Sequence, residues 1–371
     1  MRRKVKGLIN INPLQTGGIL TEEARKALLE WCDGYSICDF CKGRLEEIEN
    51  PPIKRFVEEE LPNFVNADIV RITHGAREGM FAIMHAICEK GSYVIVDANA
   101  HYSTYISAER CGVEIAKTGN SGYPEYKIIE SDYANLIEEL KKKGKKVSLL
   151  VLTYPDGNYG NLPSVEKVVK IAREHDLPVL LNCAYSVGRM PIDMKKLGVD
   201  FIVASGHKSM AACGPIGFIA MRREFANVIA KKSKYFPRKE VEFLGCTVRG
   251  APLITLMASF SHVKERVKHW DEQVEKARWF SREMEKLGIK QLGEKPHSHD
   301  LMQFESEELF KISQKHKRRG YFLYHELKKR GIWGIKPGLT KRFKLSTYAA
   351  SKEELKIVID AFRDILQAYK A

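Results

Sequence analysis

Residues 201–218, FIVASGHKSMAACGPIGF, put one lysine where an amine could act as a nucleophile. Phe201 to Ala204 read as a buried strand, Ser205-Gly206-His207-Lys208 follow at its end, and a Gly/Pro turn closes the stretch. Desolvation there would lower the pKa of Lys208 and favour the free amine, which forms Schiff bases. Ser205 and His207 beside it offer donors to a phosphate. A second group, Thr73-His74-Gly75-Ala76-Arg77-Glu78, opens an expected helix over residues 79–88. Free N–H groups and the dipole at a helix start favour an anion, and Arg77 adds a charge-assisted contact. A third is Cys38-Asp39-Phe40-Cys41. This C-x-x-C pair reads as half a zinc site, a redox pair, sulfur-carrying thiols, or two thiols without chemistry. Cys38, Cys41 and Cys246 together could also ligate an iron–sulfur cluster, which usually takes four thiolates.

Such residues need strand ends to hold them. Short apolar runs alternate with helical patterns: Asp68–Thr73, Tyr93–Asp97, Val113–Lys117, Val147–Thr153, Val179–Cys183, Asp200–Ser205 and Ile216–Met221. Seven strands rich in Val and Ile predict a mainly parallel sheet in an α/β domain, covered on both faces. Ligands of such sheets collect at the carboxyl ends of the strands. Thr21 is the expected N-cap of a helix through Trp31, with acids in its first turn. A second helix is expected from Pro52 to Leu61, and a long charged one from Pro252 to Leu287 bridges two domains. Beyond it, strand-like Leu301–Glu305 and Phe343–Thr347 mix with helices Glu308–Lys329 and Lys352–Gln367, a small α+β domain. The expected division is an N-terminal segment with the C-x-x-C pair (1–65), a large domain (66–250), a linking helix (251–287) and a small C-terminal domain (288–371).

With 371 residues, 44% of them hydrophobic, the chain can bury a large core. It has no run of eighteen apolar residues, so no membrane span is expected, and its basic start lacks an apolar signal region. Eight cysteines in a chain this long make no disulfide scaffold, which fits a reducing cytoplasm. Lys+Arg 61 against Asp+Glu 47 leaves +14, favouring polyanions, nucleic acid first. The candidate contacts are Lys231, Lys232, Lys234 and Arg238, and the cluster Lys315, Lys317, Arg318 and Arg319.

The strand–S-G-H-K–G-P-x-G run resembles the lysine loop of fold-type I pyridoxal-phosphate (PLP) enzymes, in the aminotransferase class V, cysteine desulfurase-like group. The resemblance implies a fold-type I PLP-dependent transferase, with pyridoxal 5'-phosphate carried on Lys208 and contacted by Ser205 and His207. T-H-G-A-R-E resembles that group's T-x-G-A-T-E phosphate loop, implying contacts from Ala76 and from Arg77, where threonine is usual. His101 matches the ring stacked on the pyridine, and Asn158 the residue that bonds the cofactor's 3'-oxygen. Leu181-Asn182-Cys183-Ala184-Tyr185-Ser186-Val187-Gly188 is similar to V-D-G-A-Q-S-x-G, with two departures. Asn182 replaces the Asp that keeps the pyridine nitrogen protonated, which implies either that a weaker electron sink suffices or that catalysis is impaired. Tyr185 replaces Gln, its hydroxyl still able to reach the 3'-oxygen side. Gly245-Cys246-Thr247 resembles the G-T pair whose threonine reaches the neighbouring subunit's phosphate, implying a homodimer with shared active sites.

Over its whole length the chain resembles the Sep-tRNA:Cys-tRNA synthase family. NINPLQTGGILT, CDFC, THGAREG, LNCAYSVGRMPID, SGHKSMAACGPIG, FLGCTVRGAP and GIKPGLTKRFKLSTY carry that likeness. It implies β-replacement on tRNA(Cys) charged with O-phosphoserine: Lys208 takes the Cα proton, and phosphate leaves Cβ helped by Arg77 or His101. The dehydroalanyl-tRNA then accepts sulfur from a persulfide on Cys38, Cys41 or Cys246, giving cysteinyl-tRNA(Cys). Arg342 matches the arginine that binds a free amino acid's carboxylate. Here that carboxylate is esterified, so Arg342 is expected to face the tRNA end or the substrate phosphate. The implied partners are the charged tRNA, a sulfur donor and a phosphoseryl-tRNA synthetase. The alternatives are a cysteine desulfurase or selenocysteine lyase acting on a free amino acid, and a non-catalytic PLP-fold tRNA-binding protein. The lack of any cysteine after Cys246 and the +14 charge count against the desulfurase.

Overall fold

The computed structural model describes residues 7–33, 36–37, 52–237, 239–244, 248–348 and 350–369. Seven strands form the main sheet: β1 (Ile69–Thr73), β2 (Tyr93–Val96), β3 (Glu114–Lys117), β4 (Val147–Thr153), β5 (Val179–Asn182), β6 (Phe201–Ser205) and β7 (Gly217–Met221). Their order is β1-β7-β6-β5-β4-β2-β3. β7 runs antiparallel to both its neighbours, and the other pairings are parallel. The mainly parallel seven-stranded α/β sheet expected from the sequence is present.

Burial explains why these runs are strands. Every residue of β4 to β7 is buried, whereas the edge strand β3 is open to solvent. Along β4, Leu149 and Val151 face one apolar core while Leu150 and Leu152 face another, as the two-residue period of a strand requires. Helices α1 (Glu22–Glu30), α2 (Ala76–Ile87), α3 (Tyr102–Cys111) and α4 (Val165–Glu174) precede or follow these strands. Thr21 caps α1, its hydroxyl accepting from the Ala24 N–H at 3.2 Å.

The expected helix over Pro252–Leu287 is two helices, α5 (Gly250–Lys268) and α6 (Trp270–Lys286). The break at His269 lets Trp270 and Val274 bury in the large core while Ala277, Phe280 and Met284 bury in the small one. Neither Pro nor Gly marks that point, so the charge pattern reads through it. The helix expected over Glu308–Lys329 also divides, around Gly320, where Arg319 adopts a positive φ of 43°.

In the small domain β8 (Lys290–Leu292), β9 (Leu301–Glu305) and β10 (Arg342–Ser346) form an antiparallel sheet covered by α7 (Lys352–Ala368). Ile9–Asn10 pairs in parallel with Ile332–Trp333, so the chain begins against the small domain before crossing to the large one. Among the described residues no helix is long and apolar enough to cross a membrane.

Candidate active site

The loops at the carboxyl ends of β1, β2, β4, β5 and β6 converge on a cavity of about 190 Å³. Of the residues picked from the sequence, Ala76, Arg77, His101, Asn182, Tyr185, Ser205, His207 and Lys208 line it. Asn158 stands exposed on the β4 loop and Arg342 on β10. Cys38, Cys41, Cys246, Thr247 and Arg238 lie outside the described residues.

Lys208 occupies a four-residue helix, Gly206–Ser209, directly after β6. Its Nζ lies 4.9 Å from the centre of the Tyr185 ring. Burial, and then the nearby Arg189 guanidinium, pushes its pKa down to about 8, so a sizeable fraction is free amine near neutrality. Arg189 is itself buried and fixes this loop from below. Its guanidinium donates to the Lys208 carbonyl at 3.3 Å, to Ser209 Oγ at 3.2 Å and to the Pro13 carbonyl at 3.0 Å, and pairs with Asp300 at 2.7 Å. Gly17 and Gly18, from the N-terminal segment, press against the same loop backbone, at the carbonyls of Lys208 and His207. The sequence flags these residues only weakly: paired glycines and an arginine two residues past Val187 carry no signature of a lysine loop.

Opposite the amine, the Ala76 N–H at the start of α2 donates to Ser205 Oγ at 3.3 Å, and the Ser205 hydroxyl keeps its own hydrogen to give. Gly75, at φ +115°, makes the entry to α2, and a Cβ there would meet the His207 ring at 3.1 Å. His207 Nδ1 donates to the Ile216 carbonyl at 2.8 Å, and burial lowers its pKa, so the neutral ring spends its proton on the Gly/Pro turn. His101 comes from the β2 loop as the N-cap of α3. Burial, followed by Lys208, Lys344 and Arg77, pushes His101 down to about 4 and leaves a neutral ring. On the β5 loop, Asn182 Oδ1 accepts from the Ala184 N–H at 3.3 Å, which turns its amide N–H groups toward the cavity.

Two buried carboxylates hold the loops. Asp97 accepts from the Thr153 N–H at 2.8 Å and the Asn99 N–H at 3.0 Å, fixing the segment that ends in His101. Asp156 accepts from the N–H groups of Asn158, Tyr159 and Asn161 at 2.9, 2.7 and 3.1 Å. Glu78 accepts from Leu244 N–H at 2.9 Å, anchoring the segment that leads to Cys246 and Thr247. Lys344 also reaches the site, its Nζ donating to the Gly157 carbonyl at 2.7 Å.

This donor set fits pyridoxal phosphate. Lys208 offers an amine to its aldehyde, the α2 start and Ser205 offer donors to a phosphate, and His101 offers a flat neutral ring. The Asn182 amide would offer a donor to a ring nitrogen. The exposed cations Lys231, Lys234, Lys315, Lys317, Arg318 and Arg319 lie away from these loops in sequence, while Lys232 pairs with Glu240 at 3.0 Å.

Fold and lysine-centred cavity together define the class, fold-type I of the PLP enzymes. The apo structure of a cysteine desulfurase from Thermococcus onnurineus NA1 shares that fold, at TM-score 0.78 and 16% identity over 97% of this chain and 95% of that one. Much nearer is a crystal structure of a SepCysS–SepCysE N-terminal domain complex, at TM-score 0.93 and 52% identity, covering 100% of this chain and 97% of that one. The family described as O-phosphoseryl-tRNA(Sec) selenium transferase, SepSecS, matches residues 79–367. The O-phospho-L-seryl-tRNA:Cys-tRNA synthase of Methanocaldococcus jannaschii is 53% identical over 370 residues, 100% of this chain and 98% of that protein. Its namesake from Methanosarcina acetivorans is 52% identical over 371 residues, covering 100% and 96%. The chain belongs to the O-phosphoseryl-tRNA(Sec) selenium transferase family and groups there with the O-phospho-L-seryl-tRNA:Cys-tRNA synthases.

Proposed function

We propose that this protein is a PLP-dependent transferase that converts O-phosphoseryl-tRNA(Cys) and a sulfur donor to cysteinyl-tRNA(Cys) and phosphate. The observation that carries the reading is full-length identity of 53% to a synthase of that name, with Lys208 desolvated in the cavity. Pyridoxal phosphate, when bound, supplies a carbonyl for the amine of Lys208 and an electron sink for the bond broken at Cα.

The chain's own residues do the rest. Lys208, freed as an amine, takes the Cα proton. The C–H electron pair becomes the Cα–Cβ double bond, and the Cβ–O pair departs on phosphate. Arg77 supplies positive charge at that leaving group, and neutral His101 holds the reacting plane. Asn182, a neutral donor, would hold a proton on the ring nitrogen less firmly than a carboxylate would, so the group would supply a weaker electron sink there. Cys38, Cys41 and Cys246 are the sulfur carriers in this reading. One bears a persulfide whose outer sulfur adds to Cβ of the dehydroalanyl group, and a second thiol attacks the resulting disulfide. The product thiol is released and a protein disulfide remains; sulfide then attacks that disulfide, which restores one persulfide and one free thiol without any net oxidation or reduction. Thr247 completes the cofactor's phosphate site in a homodimer. The exposed basic clusters meet tRNA phosphates, giving salt-sensitive binding, and a phosphoseryl-tRNA synthetase delivers the substrate in the cytoplasm.

An anaerobic single-turnover reaction with phosphoseryl-tRNA(Cys) and sulfide tests this, with free cysteine in parallel. Cysteine on the tRNA, and no alanine from free cysteine, is the expected result. Alanine from free cysteine with phosphoserine untouched would make the protein a desulfurase.

A further inference from the structure

The small domain carries two basic residues on β10, and they are not equivalent. Arg342 and Lys344 stand two apart on β10, hence on one face. The β9–β10 register sets Arg342 opposite Glu305, and the two pair at 2.6 Å. The same carboxylate accepts from the Tyr123 hydroxyl at 3.0 Å. The Arg342 charge is therefore already matched by Glu305. Lys344 sits opposite uncharged Gln303, and among the described residues no carboxylate forms an ion pair with it. Asp156, whose field it feels, is spent on three backbone N–H groups.

Lys344 crosses the domain seam instead. Its Nζ donates to the Gly157 carbonyl at 2.7 Å, and Gly157 lines the cavity. A Cβ on Gly157 would lie 3.9 Å from both His101 Cδ2 and Tyr185 Cε2, so that backbone sits between the two rings. One donor of the ammonium is used there, and two remain. With Arg77 and Lys208, Lys344 makes the third cation whose charge bears on His101. A site built this way suits a dianion.

We propose that Lys344, rather than Arg342, is the small-domain cation that holds the phosphoryl group of the substrate. The proposal rests on the synthase reading, which supplies a phosphate monoester at Cβ. As the Cβ–O bond breaks and its electron pair leaves on phosphate, Lys344 meets charge that grows at the leaving group. The substrate's carboxylate is esterified to tRNA and needs no clamp, which leaves the arginine on the same strand to pair with Glu305.

The test uses the PLP-loaded protein, so that the cofactor's own phosphate site is filled. Wild type, Lys344→Met, Lys344→Arg and Arg342→Met are titrated calorimetrically with inorganic phosphate and, separately, with seryl-tRNA(Cys). Urea midpoints and the cofactor's absorbance check that each variant is folded and loaded. Lys344→Met is expected to weaken phosphate binding about tenfold to a hundredfold, the worth of a charge-assisted contact. Lys344→Arg recovers part of the loss, Arg342→Met stays within about twofold of wild type, and seryl-tRNA binding holds throughout. Phosphate binding unchanged in Lys344→Met, or absent in wild type, overturns the proposal. A loss confined to seryl-tRNA also overturns it, placing Lys344 on the tRNA backbone. Conversion of phosphoseryl-tRNA by wild type and Lys344→Met alike would sink this proposal alone. Lys344-dependent phosphate binding without any conversion by wild type would sink the synthase reading instead.

Discussion

Lys208 is a cation in water, and burial here brings its free amine within reach of neutral pH. Burial and Arg189 bring its pKa from the ordinary 10.5 to about 8. Below that value the ammonium dominates and cannot attack a carbonyl; above it the amine does. In cofactor-free protein the rate of pyridoxal phosphate capture should therefore rise about tenfold per pH unit up to about 8 and level off beyond it. Stopped-flow absorbance would record this, and a plateau first reached near pH 10.5 would mean Lys208 is not desolvated. Lys208 was legible because a lone lysine at the end of an apolar strand has few other uses. His101 and Asn182 were legible only through the resemblance to fold-type I PLP enzymes, and both line the cavity. Lys344 was not, because its meaning depends on what faces it: the strand register gives Arg342 a glutamate and Lys344 a glutamine. No spacing in RFKLSTY carries that information.

At the scale of elements, the seven strands could be read because burial on both faces writes continuous Val/Ile/Leu runs. The helix break at His269 could not, since Trp270 turns inward for packing reasons that leave the charge pattern intact. The N-terminal segment hid most. Gly17-Gly18 reads as a mere interruption, yet it is the surface on which the lysine loop rests. A Cβ on Gly18 would lie 2.1 Å from the His207 carbonyl oxygen, and one on Gly17 would lie 2.8 Å from that of Lys208. Backbone meets backbone there, so neither side can yield by rotating a side chain. Gly18→Ala should cost about 1–3 kcal/mol of overpacking. Because the strain falls on the loop that carries Lys208, affinity for pyridoxal phosphate should drop with it. Urea unfolding and a cofactor titration measure the two effects. A variant with wild-type values in both would show that the segment does not support the loop.

For the whole molecule, one buried ion pair joins three parts of the chain. Arg189 belongs to the large domain and Asp300 to the small one, and the same guanidinium holds the Pro13 carbonyl of the N-terminal segment. Arg266, half-buried, donates to the carbonyls of Gly17, Gly188 and Ser209, so two guanidinium groups share the field of one carboxylate. Burial alone would raise the Asp300 pKa, but Arg189, His299 and Ser346 outweigh it and hold the carboxyl below the ordinary 3.8. A depressed carboxyl contributes stability that is present above its unfolded value and lost as pH falls through the folded one. Asp300→Asn keeps the shape, removes the charge and leaves the buried Arg189 guanidinium without its counterion. At pH 7 that should cost about 3–5 kcal/mol, the usual penalty for breaking a buried pair from one side. As pH falls from 3.8 through the lower folded value, the unfolded carboxyl protonates first and the folded one after it, and the gap between the two proteins should narrow. Urea unfolding of both, at neutral and acid pH, measures that gap. A difference that is small at pH 7, or that widens in acid, would mean that the domains and the lysine loop are held together by packing and not by this charge.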